Sequence, residues 1–164
     1  MDAYRRYGPA LLRKCERLLQ SRQESEDIVQ GLFVDLIARG ETRLELPYLY
    51  RAVTNRCINH LRYGENRRRL LEQHDVALRG PVRLSIDEQV IGLELLLKLM
   101  ERLDAKHGEA LVYRYFDEMG VEEIAELVGT SRKTVGKRLA RVQAEVKALL
   151  ANLGADNTAN GGAA

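Results

Sequence analysis

The 164-residue chain contains no tryptophan, and phenylalanine and tyrosine together make up only 5% of it. Hydrophobic residues account for 45% and charged residues for 30%, which excludes a compositionally disordered chain. Leucine, alanine, glutamate and arginine dominate, and these residues favour helix. No apolar run approaches the roughly 18 residues needed to cross a membrane, and the N-terminus lacks a signal-peptide core. We therefore expect a globular cytoplasmic protein without membrane insertion.

The sequence also lacks the groupings that catalysis or metal binding requires. His60, His74 and His107 are far apart, neither cysteine has a CxxC partner, and no glycine-rich phosphate loop is present. We predict no enzymatic activity, no catalytic residue, no metal site and no cofactor. Cys15 and Cys57 lie within amphipathic helical patterns, which favours two reduced core thiols over a structural disulfide. The net charge of +2 says little about partners.

Apolar residues recur at helical spacing through most of the chain, and no strand pattern or internal repeat is present. Helices are predicted over residues 3–19, 25–38, 47–63, 85–103, 104–116, 121–128 and 131–153. Ser85 and Glu88 have the spacing of a capping box at the start of the fourth of these helices. We predict an all-α fold of two small helical lobes, residues 1–64 and 85–153, joined by a flexible linker over 65–84. The tail over 154–164 is predicted to be disordered.

The most informative local pattern lies between residues 121 and 139. Ile124 and Ala125 face inwards on a short helix, Gly129 permits a turn, and Val135 and Leu139 face inwards on the next helix. This is helix-turn-helix spacing. The second helix is strongly basic, which favours DNA, although helix pairs with a glycine turn also occur in proteins that never bind DNA. Its basic residues are Arg132, Lys133, Lys137, Arg138, Arg141 and Lys147.

A second basic segment covers residues 47–69. It combines arginines with tyrosines and with the amides of Asn55 and Asn59, a composition suited to unpaired nucleic acid. The alternative is a solvated basic helix whose tyrosines belong to the core. By contrast, residues 16–45 hold seven acids against four arginines, and that acidic surface is better placed to meet a protein than DNA.

These features together resemble the extracytoplasmic-function sigma factors over nearly the whole chain up to about Leu150. The segment Tyr4-Arg5-Arg6-Tyr7-Gly8-Pro9 resembles the family's opening, and Glu26-Asp27-Ile28-Val29-Gln30 is similar to its acidic polymerase-binding signature. Leu49-Tyr50-Arg51-Ala52-Val53-Thr54-Asn55-Arg56 resembles the stretch that recognises the minus-ten promoter element. Val121-Glu122-Glu123-Ile124-Ala125, Gly129 and Thr134-Val135 resemble the helix-turn-helix that reads the minus-thirty-five element.

The resemblance implies a non-enzymatic subunit that binds core RNA polymerase and directs promoter recognition, DNA melting and transcription initiation. Its implied partners are core RNA polymerase, promoter DNA and an anti-sigma factor. The implied polymerase-binding residues, on a helix that docks on the clamp coiled coil, are Glu26, Asp27, Gln30 and Asp35. The implied minus-ten residues are Tyr48, Arg51, Asn55, Arg56 and Asn59. The implied minus-thirty-five residues are Arg132, Lys133, Thr134, Lys137, Arg138 and Arg141.

The sequence departs from the family pattern at three places. Gly31 stands where an acid is common, Gly136 stands where arginine or lysine is common, and the loop over 40–46 is short for one that captures a flipped minus-ten base. Two alternatives therefore stay open. One is an autonomous helix-turn-helix regulator that does not bind polymerase, and the other is a sigma-like protein that survives as an interaction partner.

Overall fold

A computed structural model describes residues 2–42, 44–63, 84–86, 89–91 and 93–159. Helices α1 (Asp2–Leu19), α2 (Arg22–Ala38) and α3 (Leu46–Arg62) form an N-terminal lobe. Two short strands, β1 (Leu84–Ile86) and β2 (Gln89–Ile91), precede α4 (Leu93–Arg102), α5 (Ala105–Leu111), α6 (Val121–Val128) and α7 (Arg132–Ala159). A single π-helical turn, Val112–Phe116, extends α5. The prediction of an all-α fold is confirmed, apart from the short two-stranded sheet formed by β1 and β2.

The N-terminal lobe forms because each of its helices presents one apolar stripe to the others. Leu11 and Leu18 on α1, Leu32 and Leu36 on α2 and Val53 on α3 are all buried in one cluster. Local signals fix where α2 begins and ends. Ser21 caps its N-terminus by accepting from the Glu24 backbone N–H, and Gly40 adopts a left-handed φ of 67° just after its C-terminus.

The two cysteines confirm the prediction of reduced core thiols. Cys15 on α1 and Cys57 on α3 are both fully buried, and their sulfur atoms lie 3.4 Å apart without a disulfide. Hydrogen bonding to Cys15 and burial raise the pKa of the Cys57 thiol well above its usual value. The Cys57 thiol therefore stays protonated and packs as a small apolar group.

The C-terminal lobe contains the predicted helix-turn-helix, formed by α6 and the start of α7. Ile124, Ala125, Val135 and Leu139 are buried in one cluster with Tyr113. The last helix differs from its prediction, since it continues to Ala159 rather than ending near Leu153. The predicted tail over 154–164 is thus helical as far as residue 159, because adding residues to an existing helix costs little once it is nucleated. Residues 160–164 lie outside the described part.

The predicted capping box at Ser85 and Glu88 is wrong, because β1 and β2 occupy this stretch and α4 begins only at Leu93. The strands pair antiparallel, with Ile86 opposite Gln89, so that two residues connect them. A two-residue connection between two antiparallel strands is a hairpin pattern, and here strand pairing takes precedence over the local capping signal. The predicted linker, 65–84, lies outside the described residues except for Leu84.

One hydrophobic core extends across both lobes. It combines the inner faces of α1, α2 and α3 with Leu96, Leu99 and Met100 of α4 and with Val142 and Val146 of α7. The lobes therefore pack directly on one another. Among the described helices, none has a stretch long and apolar enough to span a membrane.

Candidate nucleic-acid interface

Helix α2 carries an exposed stripe that ends in apolar residues. Asp27, Gln30, Val34 and Ile37 follow one another at spacings of three, four and three, and all four are exposed. Val34 is 63% exposed and Ile37 is 69% exposed. Helical periodicity places Ile37 in the apolar stripe of α2 and predicts that it is buried. This prediction is wrong, because the core of the lobe takes the opposite face of α2. The spacing is the one with which a helix packs along a second helix.

An apolar groove of about 310 Å³ lies beside this stripe, between α1 and α2. Gln30, Val34 and Ile37 form one wall, and Tyr4 on α1 forms the other. Tyr4 stands edge-on to Phe33, with ring centroids 5.1 Å apart. The predicted polymerase-binding residues Asp27 and Gln30 therefore continue into an apolar surface that the sequence pattern does not indicate.

The predicted minus-ten residues divide between two sides of α3. Arg51, Asn55 and Asn59 lie four residues apart on one face, with Asn59 exposed and the other two half-buried. Tyr48 is 46% exposed at the start of the helix. Arg56 points the other way, towards α2. The structure thus brings Arg51, Asn55 and Asn59 together and separates Arg56 from them.

Arg56 joins the predicted minus-ten residues to the predicted polymerase-binding residues. Its guanidinium lies 2.5 Å from a carboxylate oxygen of Asp35, and this hydrogen bond lowers the pKa of Asp35. Gly31 adjoins this pair, since a Cβ there would lie 3.6 Å from the Arg56 guanidinium, an ordinary van der Waals contact. Asp35 therefore holds Arg56 and lies beside, not within, the exposed stripe of α2.

Arg51 contacts the C-terminal lobe. Its Nε donates to Glu109 Oε1 at 2.7 Å and a terminal nitrogen donates to Oε2 at 3.4 Å. Glu109 also accepts from the Tyr113 hydroxyl at 3.1 Å, and its side chain is only 3% exposed. Nothing in the sequence pattern marks Glu109, which is 58 residues from Arg51.

The helix-turn-helix has the geometry that its sequence predicts. Gly129 adopts φ 67° and ψ 43°, the left-handed conformation that ends α6 and turns the chain into α7. Ser131 caps α7 by accepting from the Thr134 backbone N–H at 3.1 Å. Glu123 accepts from the Gly120 N–H at 2.7 Å, which fixes the start of α6. The start of each of the two helices is thus held by a local hydrogen bond.

The basic side chains of α7 project from an otherwise unobstructed face. Lys133, Lys137 and Arg141 are exposed and lie four residues apart. Gly136 is exposed on the same side, and a Cβ built there would meet nothing within 4 Å. The other three predicted residues are arranged around this row: Arg132 is exposed, and Thr134 and Arg138 are half-buried.

Two of these arginines have acidic partners within the lobe. Arg132 contacts Glu122 of α6 at 2.5 Å, with both side chains 71% exposed. Arg141 contacts Glu145 at 2.7 Å, one helical turn further along α7. The Arg132–Glu122 pair is exposed and contributes little stability, so a DNA phosphate can replace its carboxylate at low cost.

Comparison with protein families gives two matches in the expected order. The family described as sigma-70 region 2 matches residues 3–68, and sigma-70 region 4 matches residues 93–142. The first match contains α1, α2 and α3, and the second contains α4, α5, α6 and the basic start of α7. The chain belongs to the sigma-70 family, as a sigma factor of the extracytoplasmic-function type.

Individual relatives agree with this assignment over most of the chain. The RNA polymerase sigma factor NccH of Alcaligenes xylosoxydans xylosoxydans is 29% identical over 158 residues, which span 88% of this chain and 83% of NccH. The RNA polymerase sigma-E factor of Streptomyces coelicolor is 29% identical over 142 residues, spanning 84% of this chain and 78% of that protein.

Among solved structures, the sigma factor RpoE in its complex with the anti-sigma factor NepR from Bartonella quintana matches with a TM-score of 0.46. It is 22% identical and the match covers 87% of this chain and 90% of that one. The family assignment rests on the two sigma-70 matches and the curated relatives. As a sigma factor, the protein binds core RNA polymerase and directs transcription initiation at promoters, which disfavours the alternative of an autonomous regulator.

Proposed function

We propose that the three exposed surfaces described above divide the work of a sigma factor between them. The stripe on α2 binds core polymerase, one face of α3 binds the minus-ten element, and the basic face of α7 binds the minus-thirty-five element. The two lobes, with the linker between them, span the two promoter elements. The observation that carries the proposal is the separation of charge: an acidic helix ending in apolar residues and two basic helices, each exposed on its own face.

The polymerase-binding surface consists of Asp27, Gln30, Val34 and Ile37. Their spacing suits docking along a helix of the clamp coiled coil, and the adjacent groove can accept an apolar side chain from that partner. Two exposed aliphatic residues next to an acidic residue also form the usual combination of an apolar anchor and a polar rim. Glu26 lies next to this surface and is paired with Arg22 at 2.8 Å.

Helix α3 supplies the minus-ten contacts. Asn55 and Asn59 can donate to and accept from base edges, Tyr48 can stack on an unpaired base, and Arg51 can hold a phosphate. Arg56, held by Asp35, reaches the DNA only if that ion pair is exchanged. We therefore place Arg56 at the margin of the site and propose no base capture by the loop over 40–46.

On α7, the row of Lys133, Lys137 and Arg141 lies along the face that would enter the major groove. Some of these side chains would bind phosphates, and arginine contacts to guanine would supply sequence preference. Gly136, beside this row, contributes no side chain, so the minus-thirty-five surface has one basic side chain fewer than the family pattern provides.

The protein is proposed to act in the cytoplasm without catalytic activity of its own. Among the described residues, no group of three histidine, cysteine or acidic side chains could hold a metal ion. An anti-sigma factor is the proposed regulator, and the exposed apolar stripe of α2 is a surface that such a partner could cover in competition with polymerase.

The proposed polymerase site is tested by Asp27→Ala, measured as the affinity of the full-length protein for core polymerase. Loss of the acidic residue of this surface should weaken binding about ten-fold, while affinity for duplex promoter DNA stays unchanged. Asp2→Ala, the same change at an exposed position of α1, is the matched control. An equal loss of polymerase affinity in the two variants would contradict the proposed polymerase-binding site.

The proposed minus-thirty-five site is tested by Arg141→Ala in the holoenzyme. We expect a lower ratio of transcription from matched over mismatched minus-thirty-five sequences, by about ten-fold, with polymerase affinity preserved. Lys147→Ala removes a basic residue further along α7 and serves as the control. An unchanged preference in Arg141→Ala would contradict the assignment.

A further inference from the structure

The N-terminal lobe holds two cysteines whose thiols no part of the proposed function uses. Cys15 on α1 and Cys57 on α3 are both 0% exposed, and their sulfur atoms lie 3.4 Å apart. The two residues are 42 positions apart in the chain, so the contact joins one helix to another. The sequence contains 2 cysteines in all, so each thiol has a single possible partner within the molecule.

The two sulfur atoms are close enough to form a bond after a small local movement. A disulfide bond is about 2.05 Å long, so the sulfur atoms must approach by roughly 1.4 Å to form one. Rotation about the two Cα–Cβ bonds and a slight shift of the helices can supply this movement. Because α1 and α3 pack in one core, the two thiols are held in contact and do not depend on a chance encounter.

The hydrogen bond between the thiols gives the two sulfur atoms different roles. The Cys57 thiol donates to the Cys15 sulfur, and this bond together with burial raises the pKa of Cys57 well above its usual value. Cys57 therefore keeps its proton. The Cys15 sulfur accepts this hydrogen bond and also lies within electrostatic range of the Lys14 ammonium. A thiolate at Cys15 would thus have a donor and a cation beside it, which makes Cys15 the nucleophile and Cys57 the thiol that reacts second.

We propose that Cys15 and Cys57 form a reversible disulfide when the protein meets hydrogen peroxide, and that this bond stabilises the N-terminal lobe. The inference goes beyond the proposed function, since neither cysteine belongs to a polymerase-binding or DNA-binding surface. Disulfides in reducing compartments are usually transient and redox-sensing. A pair that is reduced in the resting protein and already in contact has the geometry for that role.

The reaction takes two steps and consumes one molecule of hydrogen peroxide. In the first step the Cys15 sulfur attacks one peroxide oxygen, the O–O bond breaks, and the departing hydroxide takes the Cys15 proton and becomes water. This leaves a sulfenic acid on Cys15. In the second step the Cys57 sulfur attacks the Cys15 sulfur, the S–O bond breaks, and the hydroxide leaves with the Cys57 proton as a second water. Two electrons pass from the sulfur atoms to the peroxide, and a dithiol reductant reverses the change by returning two electrons and two protons.

Burial sets the rate of this reaction and the conditions under which it occurs. Hydrogen peroxide is little larger than water, and it reaches a buried thiol when the surrounding helices open locally. Since both thiols are fully buried, we expect oxidation to take about minutes to hours, the range of uncatalysed disulfide chemistry. The pair would therefore respond to sustained exposure to peroxide and not to a brief pulse.

The bond should stabilise the lobe without disturbing its proposed contacts. A link between residues 42 positions apart removes many conformations from the unfolded chain, which raises the stability of the folded one. The proposed minus-ten residues Arg51, Asn55 and Asn59 lie on the side of α3 away from the buried Cys57. We therefore expect an oxidised protein that resists unfolding and still supports transcription.

The test treats the full-length wild-type protein with hydrogen peroxide and maps its cysteines by mass spectrometry after alkylation of the unfolded chain. We expect one disulfide within each molecule, which dithiothreitol returns to two thiols, and a melting temperature about 10 °C higher than in the reduced protein. Two free thiols, a disulfide between molecules or a sulfonic acid would overturn the proposal. An unchanged or lower melting temperature of the oxidised protein would overturn the stabilising role.

Two variants test the order of the steps and control for oxidation elsewhere in the chain. In Cys57→Ala the reaction should stop at a sulfenic acid on Cys15, which dimedone labels, whereas Cys57 in Cys15→Ala should stay unlabelled. Neither variant should gain melting temperature with peroxide. Labelling of Cys57 in place of Cys15 would contradict the assigned roles. The wild-type measurement needs neither variant to fold and involves no polymerase, so its failure would leave the proposed function untouched.

Discussion

At the scale of single residues, Lys14 shows how one charge can matter for stability. It lies among Leu11, Cys15 and Leu18 on the buried face of α1 and reaches Asp117 in the other lobe. Removing the lysine leaves the Asp117 carboxylate buried without a counter-ion. The side chain therefore has a structural role that its place in an apolar stripe does not reveal.

We expect Lys14→Ala to lower the free energy of unfolding by about 3 kcal/mol, as is usual when one partner of a buried ion pair is lost. The measurement is urea denaturation of the full-length protein followed by circular dichroism. Arg13→Ala removes a neighbouring but exposed cation and should cost less than about 0.5 kcal/mol. Similar losses of unfolding free energy in both variants would contradict the stabilising role of the buried Lys14–Asp117 pair.

Two glycines of the helix-turn-helix should respond oppositely to the same substitution. Gly136 lies in helical conformation with open space around it, so Gly136→Ala should stabilise the protein by about 1 kcal/mol. Gly129 has φ 67°, which L-residues adopt at a cost, so Gly129→Ala should destabilise it by about 1 kcal/mol. Thermal denaturation of both variants checks the prediction, and shifts of the same sign would contradict it.

At the scale of elements, helix α5 depends on its cap. Asp104 accepts from the His107 backbone N–H at 3.0 Å, and its carboxylate also contacts the His107 ring at 2.7 Å. The backbone hydrogen bond from His107 is the largest of the effects that lower the pKa of Asp104. Because the folded pKa lies below the unfolded one, the charged cap stabilises the fold above the unfolded pKa of about 3.9.

Asp104→Ala should therefore lower the free energy of unfolding by about 1 kcal/mol at pH 7. The difference from wild type should shrink as the pH falls through the lowered folded pKa, since protonation of Asp104 removes the same interaction. Denaturation curves at pH 7 and at acidic pH measure this. Asp104→Asn keeps an uncharged cap acceptor, so it should lose less of the free energy of unfolding at pH 7 than Asp104→Ala does. A loss in Asp104→Ala that does not change with pH would contradict this role of the charged cap.

Helix positions were predictable where periodicity and caps agree, and not where a local signal stood alone. Helix α6 has the predicted bounds, because apolar spacing and Gly129 both point to them. At Ser85 the capping pattern competed with strand pairing between Leu84 and Ile91, which no local rule detects. Periodicity also predicted, wrongly, that Ile37 is buried. Periodicity alone does not show which side of a wide apolar stripe other helices cover.

At the scale of the whole molecule, the family and the order of its parts could be predicted, but the packing of the lobes could not. The acidic signature at residues 26–30 on α2 and the helix-turn-helix are local patterns, so both could be identified from the sequence alone. The Arg51–Glu109 and Lys14–Asp117 pairs join distant residues whose sequence neighbourhoods give no sign of a partner. Only the folded arrangement shows that a proposed DNA-binding arginine is held by a buried acid.

The central claim is that this chain binds core RNA polymerase and directs it to promoters. The most direct measurement is a pull-down of purified bacterial core polymerase by the full-length protein, followed by transcription from a promoter library with and without it. The account predicts saturable binding and initiation from a subset of promoters that share minus-ten and minus-thirty-five sequences. No binding to core, together with tight binding to duplex DNA by the protein alone, would contradict it.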